Sequence, residues 1–401
     1  MWRKSMITME IVQTKVKKAA VDDISAEAVL YDVLDQIFSY FTIKDLCRAA
    51  TVCKSWQHIA NLEISKRSDI ESLIWPITHD SDVDDFHGDD GNDCTKSRFS
   101  KYRWHISDSM RSLPKLVLLF NDENETELRN IEQFFVYHWS RVKVGTKVGA
   151  IHSVAVFMNS TEIVTNSNLG VAITIPSTPK LKLAAYSPND LEFQRHAKNS
   201  TISQLASQAV NSLISTEDSH NCFIIFKNEG PEIREDDLLH SRSFLTEFTS
   251  SLKQKCKPGS YSIWGGGVPL FITNVNSLGI NSFVWFFIVR LSGPAFDSWS
   301  IVLNTDLSDV EKEEKLTRLK KKLHLKPDTI ALAMTSSNRN ETSEQRLSKT
   351  EIFRKIFPKI SLIAIYEEDD FVQLGMNTID CDINPQVEHT KSVAYLIMTT
   401  K

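Results

Sequence analysis

Seven consecutive residues, Phe283-Val284-Trp285-Phe286-Phe287-Ile288-Val289, are large and apolar with no polar side chain among them. No other feature restricts the fold so tightly. A strand with one face in water alternates apolar and polar residues, so a run without alternation needs cover on both faces. The run is far shorter than the roughly 20 residues a helix needs to cross a membrane. It reads as an interior strand of a body large enough to place a layer on each side of it. Composition agrees: 41% of the 401 residues are hydrophobic and 24% charged, enough to bury a sizeable core. At roughly 100–200 residues per domain, two or three domains are expected.

Charge and cysteine usage narrow the class. The net charge of −5, from 46 basic and 51 acidic side chains, sets up no global field for nucleic acid. Six cysteines without a C-x-x-C pair are too sparse for a disulfide framework. Free thiols in a reducing compartment follow, and the expected location is cytoplasmic and nuclear. Near the N-terminus Arg3, Lys4, Lys15, Lys17 and Lys18 are interrupted by Glu10, and no apolar signal core follows.

Residues 1–25 read as a disordered tail. From Leu30, the positions Val33, Leu34, Ile37, Phe38 and Phe41 recur at spacings of three and four, one face of a helix. A second apolar series runs through Leu46, Ala49, Ala50, Cys53, Trp56, Ile59 and Ala60, with Asp45 expected as N-cap. A small helical module is therefore expected over 26–77. Its large apolar groups exceed what so few residues can bury alone, which argues for a partner. Residues 78–98, carrying Asp80, Asp82, Asp84, Asp85, Asp89, Asp90 and Asp93, read as an acidic flexible linker. A calcium loop starting at Asp80 fails at its sixth and twelfth positions, which hold Asp85 and Gly91 in place of Gly and Glu.

Beyond the linker, two mixed α/β domains are expected, 99–268 and 269–401, with largely antiparallel or mixed sheets, so the class is α+β. Strands are expected at 116–120, 154–158, 171–175, 223–226, 282–289, 298–303, 329–334, 361–366 and 393–399. Helices are expected at 203–213, 243–252, 309–323 and 351–357. The 309–323 helix has the clearest signals: a Ser308–Glu311 capping box, Leu316, Leu319 and Leu323 on one face, and basic residues in its last turn. Gly265-Gly266-Gly267 reads as a flexible turn or a close backbone approach, and Glu367-Glu368-Asp369-Asp370 as a solvated loop. No G-x-S-x-G elbow, H-E-x-x-H pair or phosphate-binding G-x-x-x-x-G-K is present, and the histidines lack metal-ligand spacing. No catalytic residue, metal or cofactor is assigned.

The segment VLYDVLDQIFSYFTIKDLCRAATVCKSWQHIA resembles the F-box, through Ile37-Phe38-Ser39-Tyr40-Phe41, Asp45-Leu46-Cys47-Arg48 and Val52-Cys53-Lys54-x-Trp56. The resemblance implies docking on the SKP-family adaptor of a cullin–RING ubiquitin ligase. Leu30, Leu34, Ile37, Phe38, Phe41 and Leu46 would face or support the adaptor. Cys53 and Trp56 would knit the helices, and Trp75 would close the module. Tyr31 and Thr42 stand where the family usually has proline. The stretch from Ser300 to Asn340, with IFRKIFPKISLIAIY and VAYLIM, resembles a FIST C-terminal domain. Residues 99–268 resemble its N-terminal companion more weakly. Asn338-Arg339-Asn340 replaces a glycine-flanked arginine, leaving Arg339 as the possible target or ligand contact. The implied function is a non-catalytic substrate receptor that recruits protein targets for ubiquitination and proteasomal degradation. The alternative is a FIST-based small-ligand sensor. No nucleic acid or membrane partner is implied.

Overall fold

The computed structural model describes residues 26–67, 69–76, 110–121, 146–164, 169–178, 180–188, 190–198, 201–214, 220–230, 235–257, 259–269, 271–273, 285–294, 296–338, 340–368, 371–378 and 386–400. Chain contacts divide it into two units. The first holds three helices, α1 (Ala26–Ser39), α2 (Ile43–Ala49) and α3 (Lys54–Lys66), with the segment around Met110. The expected tail and acidic stretch, Asp80 to Asp93 included, lie outside the described residues.

The second unit is built from three chain segments of one topology. The first supplies β1 (Glu71–Pro76), β2 (Pro114–Asn121), β3 (Lys147–His152), the hairpin β4 (Ala155–Met158) and β5 (Thr161–Val164), and β6 (Leu169–Pro176). The second supplies β7 (Lys182–Tyr186), α4 (Asp190–Lys198), α5 (Ile202–Leu213), β8 (Asn221–Asn228), α6 (Glu235–Lys255), β9 (Tyr261–Val268), β10 (Phe271–Thr273) and β11 (Phe286–Ser292). The third supplies β12 (Phe296–Asn304), α7 (Asp309–Lys322), β13 (Ile330–Ser337), α8 (Ser343–Ile356), β14 (Ser361–Glu368), β15 (Gln373–Gly375), β16 (Glu388–His389) and β17 (Ser392–Thr400).

Each segment forms its own sheet in the order first, last, second, third strand: β1-β6-β2-β3, β7-β11-β8-β9 and β12-β17-β13-β14. The second and third strands are parallel and the other neighbours antiparallel. Parallel neighbours require a crossover, supplied by α6 and α8 in the second and third segments. The short strand after each parallel pair leaves its own sheet. β4 pairs with β14, β10 with β3 and β15 with β9, so each sheet is completed by another segment in a closed cycle.

The sheets are mixed and the class is α+β, as the sequence implies. No sheet divides at 268/269, however. β10 and β11 lie after that position, and their partners β3, β7 and β8 lie before it. Residues 71–76, expected within the helical module, form the strand β1 and pair with β6.

One core collects the inner faces of all three sheets, including Phe120, Ile151, Phe226, Trp264, Phe287, Met334, Ile365 and Leu396. A second lies between the outer face of the β8–β11 sheet and α4–α6, and a third between the β13–β17 sheet and α7–α8. The apolar run explains itself here. Within β11, Phe287 and Val289 enter the common core, while Phe286 and Ile288 face the helices beside Phe193 and Phe244. The expected cover on both faces is present, and its helical side comes from residues 190–255.

Candidate functional site

In the helical unit Leu34, Phe38, Leu46, Ala49, Ile59 and Ala60 form a buried core. Tyr31, Ile37, Phe41, Trp56 and Ile64 pack half-buried against it. Phe38 is its centre, tilted against Phe41 at 5.3 Å and edge-on to Trp56 at 5.4 Å between ring centroids. Thr42, not Asp45, is the N-cap of α2. Its Oγ1 accepts from the Asp45 N–H (3.3 Å) and donates to the Asp45 carboxylate (2.9 Å), because the helix starts two residues before Asp45.

Arg67 closes the module. Its guanidinium, buried after α3, donates to Glu63 (3.1 Å), to the Phe38 carbonyl (2.9 Å) and to the Arg111 carbonyl (2.6 Å). The last carbonyls of a helix have no donor within it, so this cation satisfies the end of α1 and ties it to α3. The Met110 carbonyl accepts from Ile43 N–H (2.9 Å), satisfying one free donor of α2 in the same way. Neither anchor is visible in local sequence. Asp35 beside the exposed Lys66 ammonium raises its pKa and adds a link between α1 and α3.

The expected site residues separate into two sets. Leu34 is 3% exposed and Phe38 and Leu46 are fully buried, so these three hold the module together. Ile37 and Phe41 are half-buried and can be reached by a partner. Leu30 lies in α1 with its side chain outside the described residues. Trp56 knits the helices, but Cys53 does not. Its side chain is exposed at the N-cap of α3, where the backbone has left the packed face. Trp75 lies in β1, where its backbone pairs with Gly170, and its side chain lies outside the described residues. Sequence reasoning passed over Tyr40, 88% exposed, and Val52, 61% exposed, in the turns on either side of α2. Tyr40 stands three residues after Ile37 and so shares the helical spacing, but α1 ends at Ser39 and the side chain is exposed in the turn beyond it, which spacing alone does not signal.

In the second unit, Gly265-Gly266-Gly267 is not a turn but the end of β9, a buried strand paired on both sides. The glycines permit close tertiary approach. A Cβ on Gly266 would meet Met334 Sδ at 2.7 Å, and one on Gly267 would meet a Glu229 carboxylate oxygen at 1.8 Å. That carboxylate bonds the ammonium of the fully buried Lys227 (2.7 Å) and accepts from Val372 N–H (3.1 Å). Glu388 lies 3.4 Å from the same ammonium. The position over the glycines that an external anion would need is thus filled by an internal one. Glu367 is likewise buried at the end of β14, against its reading as part of a solvated loop, and Asp369 and Asp370 lie outside the described residues. Arg339 also lies outside them.

Two buried groups of the sheet unit are shielded from titration near neutral pH. Burial pushes the Cys222 thiol up to about 11, against the opposing hydrogen bonds of Ser262 and Ser298. Burial pushes Tyr366 up to about 12, and its hydroxyl donates to the Arg346 carbonyl (2.7 Å). No described helix is long and apolar enough to cross a membrane.

Comparison with known proteins bears on the first unit. Residues 31–70 match the F-box-like family. The F-box-like segment coincides with α1–α3 and the buried arginine behind them, the part of the chain that separates from the sheets by its contacts. No curated protein matches the chain. A solved structure described as "Cyanuric acid hydrolase: evolutionary innovation by structural concatenation" is similar at a TM-score of 0.37 and 9% identity, over 72% of this chain and 91% of that one. So slight a likeness carries no argument about activity.

Proposed function

We propose that the chain is a non-catalytic substrate receptor of a cullin–RING ubiquitin ligase. The helical module docks on the SKP-family adaptor, and the three-sheet unit holds a protein target for ubiquitination and proteasomal degradation. The observation that carries this reading is the coincidence of the F-box-like match with a separate three-helix unit. Ile37, Phe41 and the outward Tyr40 supply apolar surface for the adaptor. The FIST resemblance supports target recruitment by the sheets, in the layout of F-box only protein 22. The free thiols of Cys47, Cys53, Cys222 and Cys256 support a cytoplasmic and nuclear location. The receptor acts by proximity, raising the effective concentration of target lysines near the conjugating enzyme. Co-purification from cells with the proteasome inhibited, followed by mass spectrometry, should recover adaptor, cullin and a set of ubiquitinated proteins. Recovery of none of the ligase subunits would reject the proposal.

A further inference from the structure

Positive charge is concentrated where α7 and α8 end. Arg318, Lys320, Lys321, Lys322 and Lys326 follow one another with no carboxylate between them, and Arg354, Lys355 and Lys359 do the same. The two stretches adjoin, since Lys320 Nζ donates to the Ile356 carbonyl (2.6 Å) and lies 5.8 Å from the Phe357 ring centroid. Cations in a last turn offset the helix dipole. That role does not extend to Lys326 and Lys359, which stand beyond the helices, each exposed. Lys321 is exposed as well, and Leu325, 38% exposed, adds an apolar spot beside Lys326.

We propose that this surface docks an acidic segment of a protein partner. Lys355 is already paired with Glu313, but the exposed Lys321, Lys326 and Lys359 can each take a separate carboxylate, and Leu325 offers a seat for an apolar side chain between acidic ones. Among the described residues no exposed Phe, Tyr or Trp stands beside these cations to stack a base, and His324 is the one exposed ring in the cluster. The proposal rests on the receptor reading only in taking the partner to be a ubiquitination target.

The test is fluorescence anisotropy of a labelled oligo-glutamate peptide with the full chain, alongside adaptor binding on the same preparation. Binding should weaken as salt shortens the Debye length from about 10 Å to about 3 Å. The exposed-site variant K321E/K326E/K359E should bind about tenfold more weakly or worse, a loss of about 1.4 kcal/mol, with its melting temperature and adaptor affinity unchanged. Should that variant melt early, the glutamine triple at the same positions serves in its place. Salt-insensitive or absent peptide binding, equal binding by the variant, or a DNA duplex bound as tightly as the peptide would overturn the proposal. Lost adaptor binding with peptide binding intact would instead count against the receptor reading alone.

Discussion

Lys227 is the residue whose environment has the sharpest consequence. Its ammonium is fully buried between Glu229 and Glu388, in a space that exists because Gly267 has no Cβ. Removing one member of a buried pair leaves an uncompensated charge, which costs about 3–5 kcal/mol. Lys227→Met should therefore lose about that much in urea unfolding. The double variant Lys227→Met/Glu229→Gln should recover part of the loss, and additive losses would show that the two groups are not coupled. His389 gives a second residue-level outcome. Burial lowers its pKa below 6.5, against the pull of the Gly375 and Gln386 backbone and of Glu388. Well above pH 6.5 neither folded nor unfolded chain carries the proton. As pH falls below 6.5 toward the folded value, the unfolded chain takes it up first and stability drops. His389→Gln should flatten the melting temperature between pH 7 and pH 5, and an unaltered slope would assign that loss to other groups.

At the scale of elements, legibility followed locality. The Ser308–Glu311 capping box appears as expected, with Leu316 and Leu319 buried beneath α7. Thr342 and Gln345 form a second box that was equally readable and sets the start of α8 at Ser343, eight residues before the expected one. Of the two readings of the Gly265–Gly267 run, the close backbone approach holds and the turn does not, although glycine as local punctuation suggests a turn. Here it answers to Met334, Val372 and Glu229, all distant in sequence. Glu367 was misread for a related reason, since a run of acids looks solvated although β14 extends one residue pair into it. The α1 face was legible as a stripe, but spacing could not divide core from contact surface. Leu34→Ala should destabilise the module by about 2–5 kcal/mol. Ile37→Ala and Tyr40→Ala should keep the melting transition and lower adaptor affinity. If Leu34→Ala melts like the parent, the packing described for α1 is wrong.

At the scale of the whole molecule, the cyclic exchange of β4, β10 and β15 couples the three segments of the sheet unit. A fragment 269–401 would present β11 without β7 or β8, and β14 without β4. It should be insoluble or molten, while 69–401 should unfold in one cooperative transition. A sharp, cooperative melt of 269–401 alone would contradict the exchange. The sequence could place the strands but not this exchange, because each donated strand is short and finds its partner about 100 residues or more away. The receptor reading itself turns on the helical unit. The most direct measurement is calorimetric titration of a purified SKP-family adaptor into the full chain and into folded 69–401. The account predicts saturable one-to-one binding by the full chain and none by 69–401. Equal binding by both, or none by the full chain, would contradict it.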